Sequence, residues 1–141
     1  MASESGCVSV RLLDTDIISA LTDARVSARM HPRLDSSEPV YTSAINLAEI
    51  LYGLQKRPSE NLRELYETMV FPRLVVLPFG EQAAQRYAEL RALLEARGIP
   101  LDLHDLMIAS VALANNLILV TGNVSHFSRV PGLEIENWLE Q

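Results

Sequence analysis

In 141 residues there is a single cysteine, Cys7, and a single lysine, Lys56. One cysteine excludes an internal disulfide and leaves a cytoplasmic setting as the default expectation. The three histidines, His31, His104 and His126, are scattered along the chain and form no zinc-ligand spacing. Long hydrophobic runs are missing too: "LILV" at 117–120 is far too short to cross a bilayer, so no membrane is expected. The opening "MASESGCVSV" has neither a basic region nor a long apolar stretch, which argues against a signal peptide. Residues 1–7 read as a flexible lead-in and 8–141 as one domain, with no repeat, linker or low-complexity tract. Positive charge is scarce relative to negative, 12 Lys and Arg against 18 Asp and Glu, for a net charge of −6. Such a balance does not advertise nucleic-acid binding, which favours basic patches.

Apolar residues make up 48% of the chain and charged ones 21%, the mixture of a soluble globular protein. Their order is informative. "VSVRLL" (8–13) reads as a strand that runs straight into Asp14, followed by helical "DIISALTDARVSARM". "PVYTS" (39–43) is a second strand, leading into helix "AINLAEILYGLQ". A helix capped by Ser59 covers 59–70, and "RLVVLP" (73–78) is a third strand. A long amphipathic helix over 81–98 closes on Gly98. A helix from 103 to about 115 feeds "LILVTGN" (117–123), and "LEIENW" (133–138) suggests a fifth strand. Strands alternating with helices predict a parallel sheet covered on both faces. In such sheets polar chemistry gathers beyond the carboxyl ends of the strands.

Four stations meet that rule. Asp14 ends the first strand; with Asp16 taken as the cap of the following helix, Asp14 has no structural task and becomes the functional candidate. Glu49 shares a helix face with Ile45 and Tyr52, and Ser43 or Thr42 can cap that helix. Asp102 caps the helix at 103, which leaves Asp105 on a face with Ile108, Ala109 and Ala112. The fourth station is "VTGNVSHF", where Thr121, Gly122 and Asn123 end a strand and would by themselves read as a turn. Each acid alone has an ordinary structural explanation. Together, three carboxylates and an amide from separate βα units would repel unless protonated or neutralised. The economical solution is a hard divalent cation, Mg²⁺ or Mn²⁺, held by oxygen ligands.

The stretches "LLDTDIIS", "TSAINLAEILYG", "DLMIASVALANNLILVTGNVSHF" and "PGLEIENW" resemble, in order and spacing, the PIN-domain ribonucleases. More narrowly, they resemble the VapC-type toxins of bacterial toxin–antitoxin pairs, over about residues 8–138. The resemblance implies an α/β, PIN-like three-layer sandwich with a five-stranded parallel sheet flanked by helices. It also implies metal-dependent hydrolysis of RNA, leaving 5′-phosphate and 3′-hydroxyl ends. Carried over, the metal-holding acids are Asp14, Glu49 (with Gly53 of its Glu-x-x-x-Gly) and Asp105. Thr15, Ser43 or Thr42, and Thr121 match small polar positions, and Asn123 joins the catalytic set. Two positions depart from the pattern: Asp16 stands where the family usually has Asn, and an acid common at Asn123 or at His126 is missing. One metal site is therefore expected more firmly than two. The resemblance further implies a homodimer and a VapB-type antitoxin, through which alone DNA would be bound. Leu47, Leu51, Leu54, Leu62, Leu65 and Met69 are candidates for the groove wall, or for the core. Arg57, Arg63 and Arg129 are candidates for contact with RNA phosphates.

Two other readings fit part of the same sequence. The Asp-x-Asp of Asp14 and Asp16 also resembles haloacid-dehalogenase-type phosphatases, where the first acid is a nucleophile and the second an acid/base. A PIN module that binds a partner without catalysis is the other.

Overall fold

The strand-forming runs are short and apolar on both sides of the chain, the pattern of strands buried on two faces. The structure, a computed structural model, describes residues 10–34 and 39–139, without the side chains of His31 and Arg33. The expected lead-in at 1–7 with Cys7, and the first two residues of the expected strand 8–13, lie outside the described residues. In chain order the elements are β1 (Arg11–Leu13), α1 (Thr15–Ala20), α2 (Ala24–Leu34), β2 (Val40–Ser43), α3 (Ala44–Lys56) and α4 (Glu60–Leu65). They continue with β3 (Leu74–Leu77), α5 (Glu81–Ala96), α6 (Leu103–Ala114), β4 (Ile118–Val120), α7 (Val124–Phe127) and β5 (Ile135–Glu136).

All five strands are parallel, in the order β3-β2-β1-β4-β5. The expected five-stranded sheet flanked by helices is present. The chain builds outward from β1 through β2 to β3, then returns to lay β4 and β5 on β1's other side. The direction of winding therefore reverses between β1 and β4, the place where an open parallel sheet leaves a crevice at its carboxyl edge. Register sets the two cores. Leu12 and Leu119 point into the layer with Leu90 and Leu94 of α5, Leu106 and Ile108 of α6, and Phe127. Leu13 and Val120, one residue on, point into the opposite layer with Ile17, Ile18, Met30, Ile50, Tyr66 and Trp138. Each fully buried aliphatic side chain contributes about 1.5–3 kcal/mol. Gly98 closes α5 at φ +71°, a left-handed conformation that favours glycine, with Ile99 N–H donating to Leu94 O at 3.0 Å.

Several boundaries differ from expectation. The stretch at 16–30 is two helices rather than one: Thr22 bonds back to Ser19 O through its hydroxyl at 2.7 Å, and the Asp23 carboxylate accepts from Arg25 N–H at 2.9 Å. Side chains of this kind offer the backbone an alternative partner and restart the helix. The helix at 59–70 is regular only to Leu65, after its expected Ser59 cap, and continues as a π turn over Tyr66–Val70 before Pro72 ends it. The strands are shorter than their apolar runs, and "VSHF" forms the short α7 rather than a simple turn. Among the described residues no helix is long and apolar enough to cross a membrane.

Candidate active site

β1 ends on the buried pair Leu12 and Leu13, and Asp14 is still extended, at φ −75° and ψ 166°, with its N–H donating to Val120 O at 2.9 Å. The chain leaves the sheet there, and the Asp14 carboxylate caps α1, accepting from Thr15 N–H at 2.8 Å. This corrects the expectation that Asp16 is the cap. The Asp14 carbonyl already accepts from Ile17 and Ile18 N–H, which makes Asp14 the residue before the first helical position. Asp16 lies inside the first turn and reaches across to the end of β4, where its Oδ2 accepts from Gly122 N–H at 2.8 Å. A Cβ at residue 122 would stand 2.8 Å from that oxygen and 2.9 Å from Leu139, so a side chain there would displace the Asp16 carboxylate and the end of Leu139. Asp16 Oδ1 is buried and has no hydrogen-bond partner among the described residues.

Asp14 therefore has two tasks. It is only 7% exposed, and two further groups address its carboxylate. Thr121, at the end of β4, donates to Oδ2 at 2.8 Å, and Asn46 Nδ2 donates to Oδ1 at 2.9 Å, beside the Thr15 amide. Burial pushes the carboxyl up to about 6, partly offset by the bonds from Thr121 and Thr15, while Asp16 and Asp105 add repulsion. Ser43 caps α3 as expected: its hydroxyl accepts from Asn46 N–H at 3.2 Å, and Asn46 Oδ1 accepts from Ser43 Oγ and Ser43 N–H. Thr42, the alternative cap, donates instead to Leu13 O at 2.8 Å and ties β2 to β1.

Glu49 stands on α3 at the rim of the crevice. Its Oε1 accepts from Thr15 Oγ1 at 2.7 Å, and Asn46 Nδ2 donates to the same Thr15 oxygen at 2.9 Å. The expected apolar company is one-sided, since Ile45 packs on the core but Tyr52 is 64% exposed. Gly53 lies inside α3 with open space where a Cβ would be, so no steric need for glycine exists there. Asp105 is held at the third position of α6, where Asp102 caps the helix by accepting from His104 and Asp105 N–H at 3.0 and 3.2 Å, as expected. Ile108, Ala109 and Ala112 on its face are buried, while Asp105 itself is half-buried at the crevice. Burial raises its carboxyl above the ordinary value, His126 lowers it, and Asp102 and Glu49 raise it further.

The fourth station closes the crevice on the far side. Asn123 N–H donates to Thr121 Oγ1 at 3.0 Å, and its side-chain Nδ2 lies 2.9 Å from His126 Nδ1. The same His126 nitrogen is 3.5 Å from Asp105 Oδ2, and His104 Nδ1 is 3.7 Å from Glu49 Oε2. Hydrogen bonds thus link Asp14, Thr15, Glu49 and Thr121, and His126 joins Asp105 to Asn123 beside them. Among the described residues, no three His, Cys, Asp or Glu side chains stand close enough to share one ion as placed. Thr15 and Asn46 lie between Asp14 and Glu49. The residue that sequence reasoning missed is Asn46; its signal was Ser43-x-x-Asn46, the spacing of a reciprocal cap.

A family profile described as the PIN domain matches residues 11–133. Among curated proteins, the chain is 36% identical over 105 residues to ribonuclease VapC2 of Rickettsia felis, covering 74% of this chain and 78% of that protein. It is 40% identical over 98 residues to the tRNA(fMet)-specific endonuclease VapC of Salmonella typhimurium, covering 68% and 73%. Among solved structures, VapBC2 from Rickettsia felis bound to a DNA fragment from their promoter matches with a TM-score of 0.81 and 31% identity, over 92% of this chain and 98% of that one. DNA-bound VapBC from Salmonella typhimurium matches with a TM-score of 0.81 and 33% identity, over 93% and 99%.

Proposed function

This chain belongs to the PIN-domain family, and from that premise we propose that it is a divalent-cation-dependent endoribonuclease acting as the toxin of a toxin–antitoxin pair. The observation that carries the reading is the Asp14 station, a buried carboxylate at the carboxyl edge of the sheet, aligned by three donors and electrostatically coupled to Asp105. Asp14, Glu49 and Asp105 would hold Mg²⁺ or Mn²⁺, both of which prefer hard oxygen donors. The fit is electrostatic: burial and repulsion raise Asp14 and Asp105, and a cation removes that penalty. Once bound, such an ion supplies charge shielding at the phosphodiester and a more acidic water.

The chain's own residues then have distinct tasks. Asn46, Thr15 and Thr121 hold Asp14 in one orientation, and Thr15 fixes the near oxygen of Glu49. Asp105 faces the pair from α6. Asn123 and His126 present polar groups at the open side, where the scissile phosphate would lie. Water attacks phosphorus and the 3′ oxygen leaves, giving 5′-phosphate and 3′-hydroxyl ends. Arg129, whose guanidinium is tied to Pro100 O at 3.1 Å near the start of α6, is a candidate phosphate contact on an otherwise acidic chain.

The phosphatase alternative loses its acid/base: one Asp16 oxygen is bonded to Gly122 N–H and the other is buried. The non-catalytic alternative is addressed by assay. Purified protein incubated with transfer RNA and with total RNA should give 5′-phosphorylated fragments with Mg²⁺ or Mn²⁺, and none with excess chelator. Cleavage unaffected by chelator, or no cleavage of any RNA, overturns the reading.

The partner part of the proposal is a small VapB-type antitoxin that covers an apolar groove and a homodimer of this chain. Of the six groove candidates, Leu54 is core, whereas Leu51, Leu62 and Met69 are exposed. Leu47 lines an apolar hollow with Ile50, Phe71 and Leu74, and Leu65 and Met69 line another against Leu21. Induction in a bacterium should arrest growth, and co-expression of the antitoxin encoded beside it should restore growth.

A further inference from the structure

On the reading of the chain as a nuclease, we infer that Asn46 is a positioning residue for the cleavage: its amide locks the Asp14 carboxylate and the Thr15 hydroxyl, and through Thr15 the Glu49 carboxylate, into one unit. Asn46 is fully buried at 0% exposure, so it touches neither RNA nor solvent. Its orientation is set by chemistry. The backbone N–H of Ser43 can only donate, so the atom facing Ser43 is the amide oxygen, and the amide nitrogen faces the crevice. Both protons of that nitrogen are used there, one to Asp14 Oδ1 at 2.9 Å and one to Thr15 Oγ1 at 2.9 Å. The Thr15 hydroxyl accepts from Asn46 on one lone pair and donates its own proton to Glu49 Oε1 at 2.7 Å.

A helix cap alone explains only the oxygen end of this side chain. The nitrogen end has no capping task, and a buried amide is costly unless both ends are satisfied. Its two bonds link acids from two different βα units, Asp14 directly and Glu49 through the Thr15 hydroxyl. Groups that orient ligating carboxylates in this way typically change metal affinity or activity by about 10–100-fold when removed.

The test compares two variants with a control. Asn46→Ala removes both ends. Asn46→Asp keeps an acceptor for Ser43 but presents Asp14 and Thr15 with a carboxylate in place of the amide donor. Ser59→Ala removes a helix cap on α4, whose hydroxyl accepts from Leu62 N–H at 3.2 Å, away from the acids. Initial rates on RNA, thermal unfolding midpoints, and Mn²⁺ affinity by calorimetry are measured for each. Both Asn46 variants should lose kcat by about 10–100-fold with KM within about threefold. Asn46→Ala should bind Mn²⁺ at least about tenfold more weakly. Ser59→Ala should lower the midpoint with kcat and Mn²⁺ affinity unchanged. A folded Asn46→Asp protein with kcat within twofold of the original overturns the inference. So does a loss in both variants that only tracks the lowered midpoint. If the original chain cleaves no RNA, the functional reading fails, and the Mn²⁺ arm still decides the positioning role.

Discussion

The two sides of the crevice are built to different tolerances. Around the ends of β1, β2 and β4, Asp14, Thr15, Ser43, Asn46 and Thr121 form a continuous hydrogen-bonded set with distances of 2.5–3.3 Å, and four of the five residues are buried. On the α6–α7 side, Asp105 meets His126 at 3.5 Å and Glu49 meets His104 at 3.7 Å, and both imidazoles are substantially exposed. A buried polar set is rigid because every member would be left unsatisfied by movement. An exposed polar contact is worth little and adjusts freely. The contrast assigns alignment of the acids to the first side and adaptation to substrate or cation to the second.

The comparison is broken most directly at Asp14. Asp14→Asn keeps the shape of the cap but removes the charge, and RNA cleavage should fall by about a thousandfold or more, since the ion it helps hold is worth several kcal/mol at the transition state. A folded Asp14→Asn protein that still cleaves would contradict the whole assignment.

The same carboxylate has a second consequence, in stability. Its folded value is raised to about 6 from 3.8. A raised acid binds its proton more tightly when folded, so it costs nothing below about 3.8, and its cost grows as pH rises and is complete above about 6. In chelator, urea unfolding should show the original chain losing up to about 3 kcal/mol relative to Asp14→Asn between pH 4 and pH 7.5. Parallel pH profiles for the two proteins would sink this. Mn²⁺ should recover part of the loss in the original chain only.

Next in size is Thr121→Val, which removes one donor from the rigid side without changing volume greatly. Cleavage should fall about tenfold or more. The smallest effect belongs to the adaptable side: His126→Ala should leave kcat within a few-fold and act more on KM for RNA. If steady-state kinetics rank His126→Ala above Thr121→Val, the two sides have been assigned the wrong way round.

Much of the fold was legible because its signals are local. Strand runs ending near Asp14, Ser43 and Asn123, and helices opening on Ser43, Ser59 and Asp102, depend on periodicity and on capping chemistry within a few residues. The break at Thr22–Asp23 was legible in principle, since Asp23 is a good cap, but continuous apolar spacing concealed it. The capping role of Asp14 was hidden because Asp14 and Asp16 are equally suited, and only the backbone angle at the strand's end chooses between them.

Local pattern was enough to set the alternation of strands and helices, the parallel sheet, and the placing of Asp14 at a strand end and of Glu49 and Asp105 on helices, because each is decided by neighbours in the chain. The strand order, and with it the crevice between β1 and β4, came from the three-dimensional packing. So did the bond from Thr121 to Asp14, across 107 positions, and the turning of the Asn46 amide toward two acids. Such contacts join side chains that no short-range preference relates. They form because a buried polar group must find its partner wherever the packed core places one.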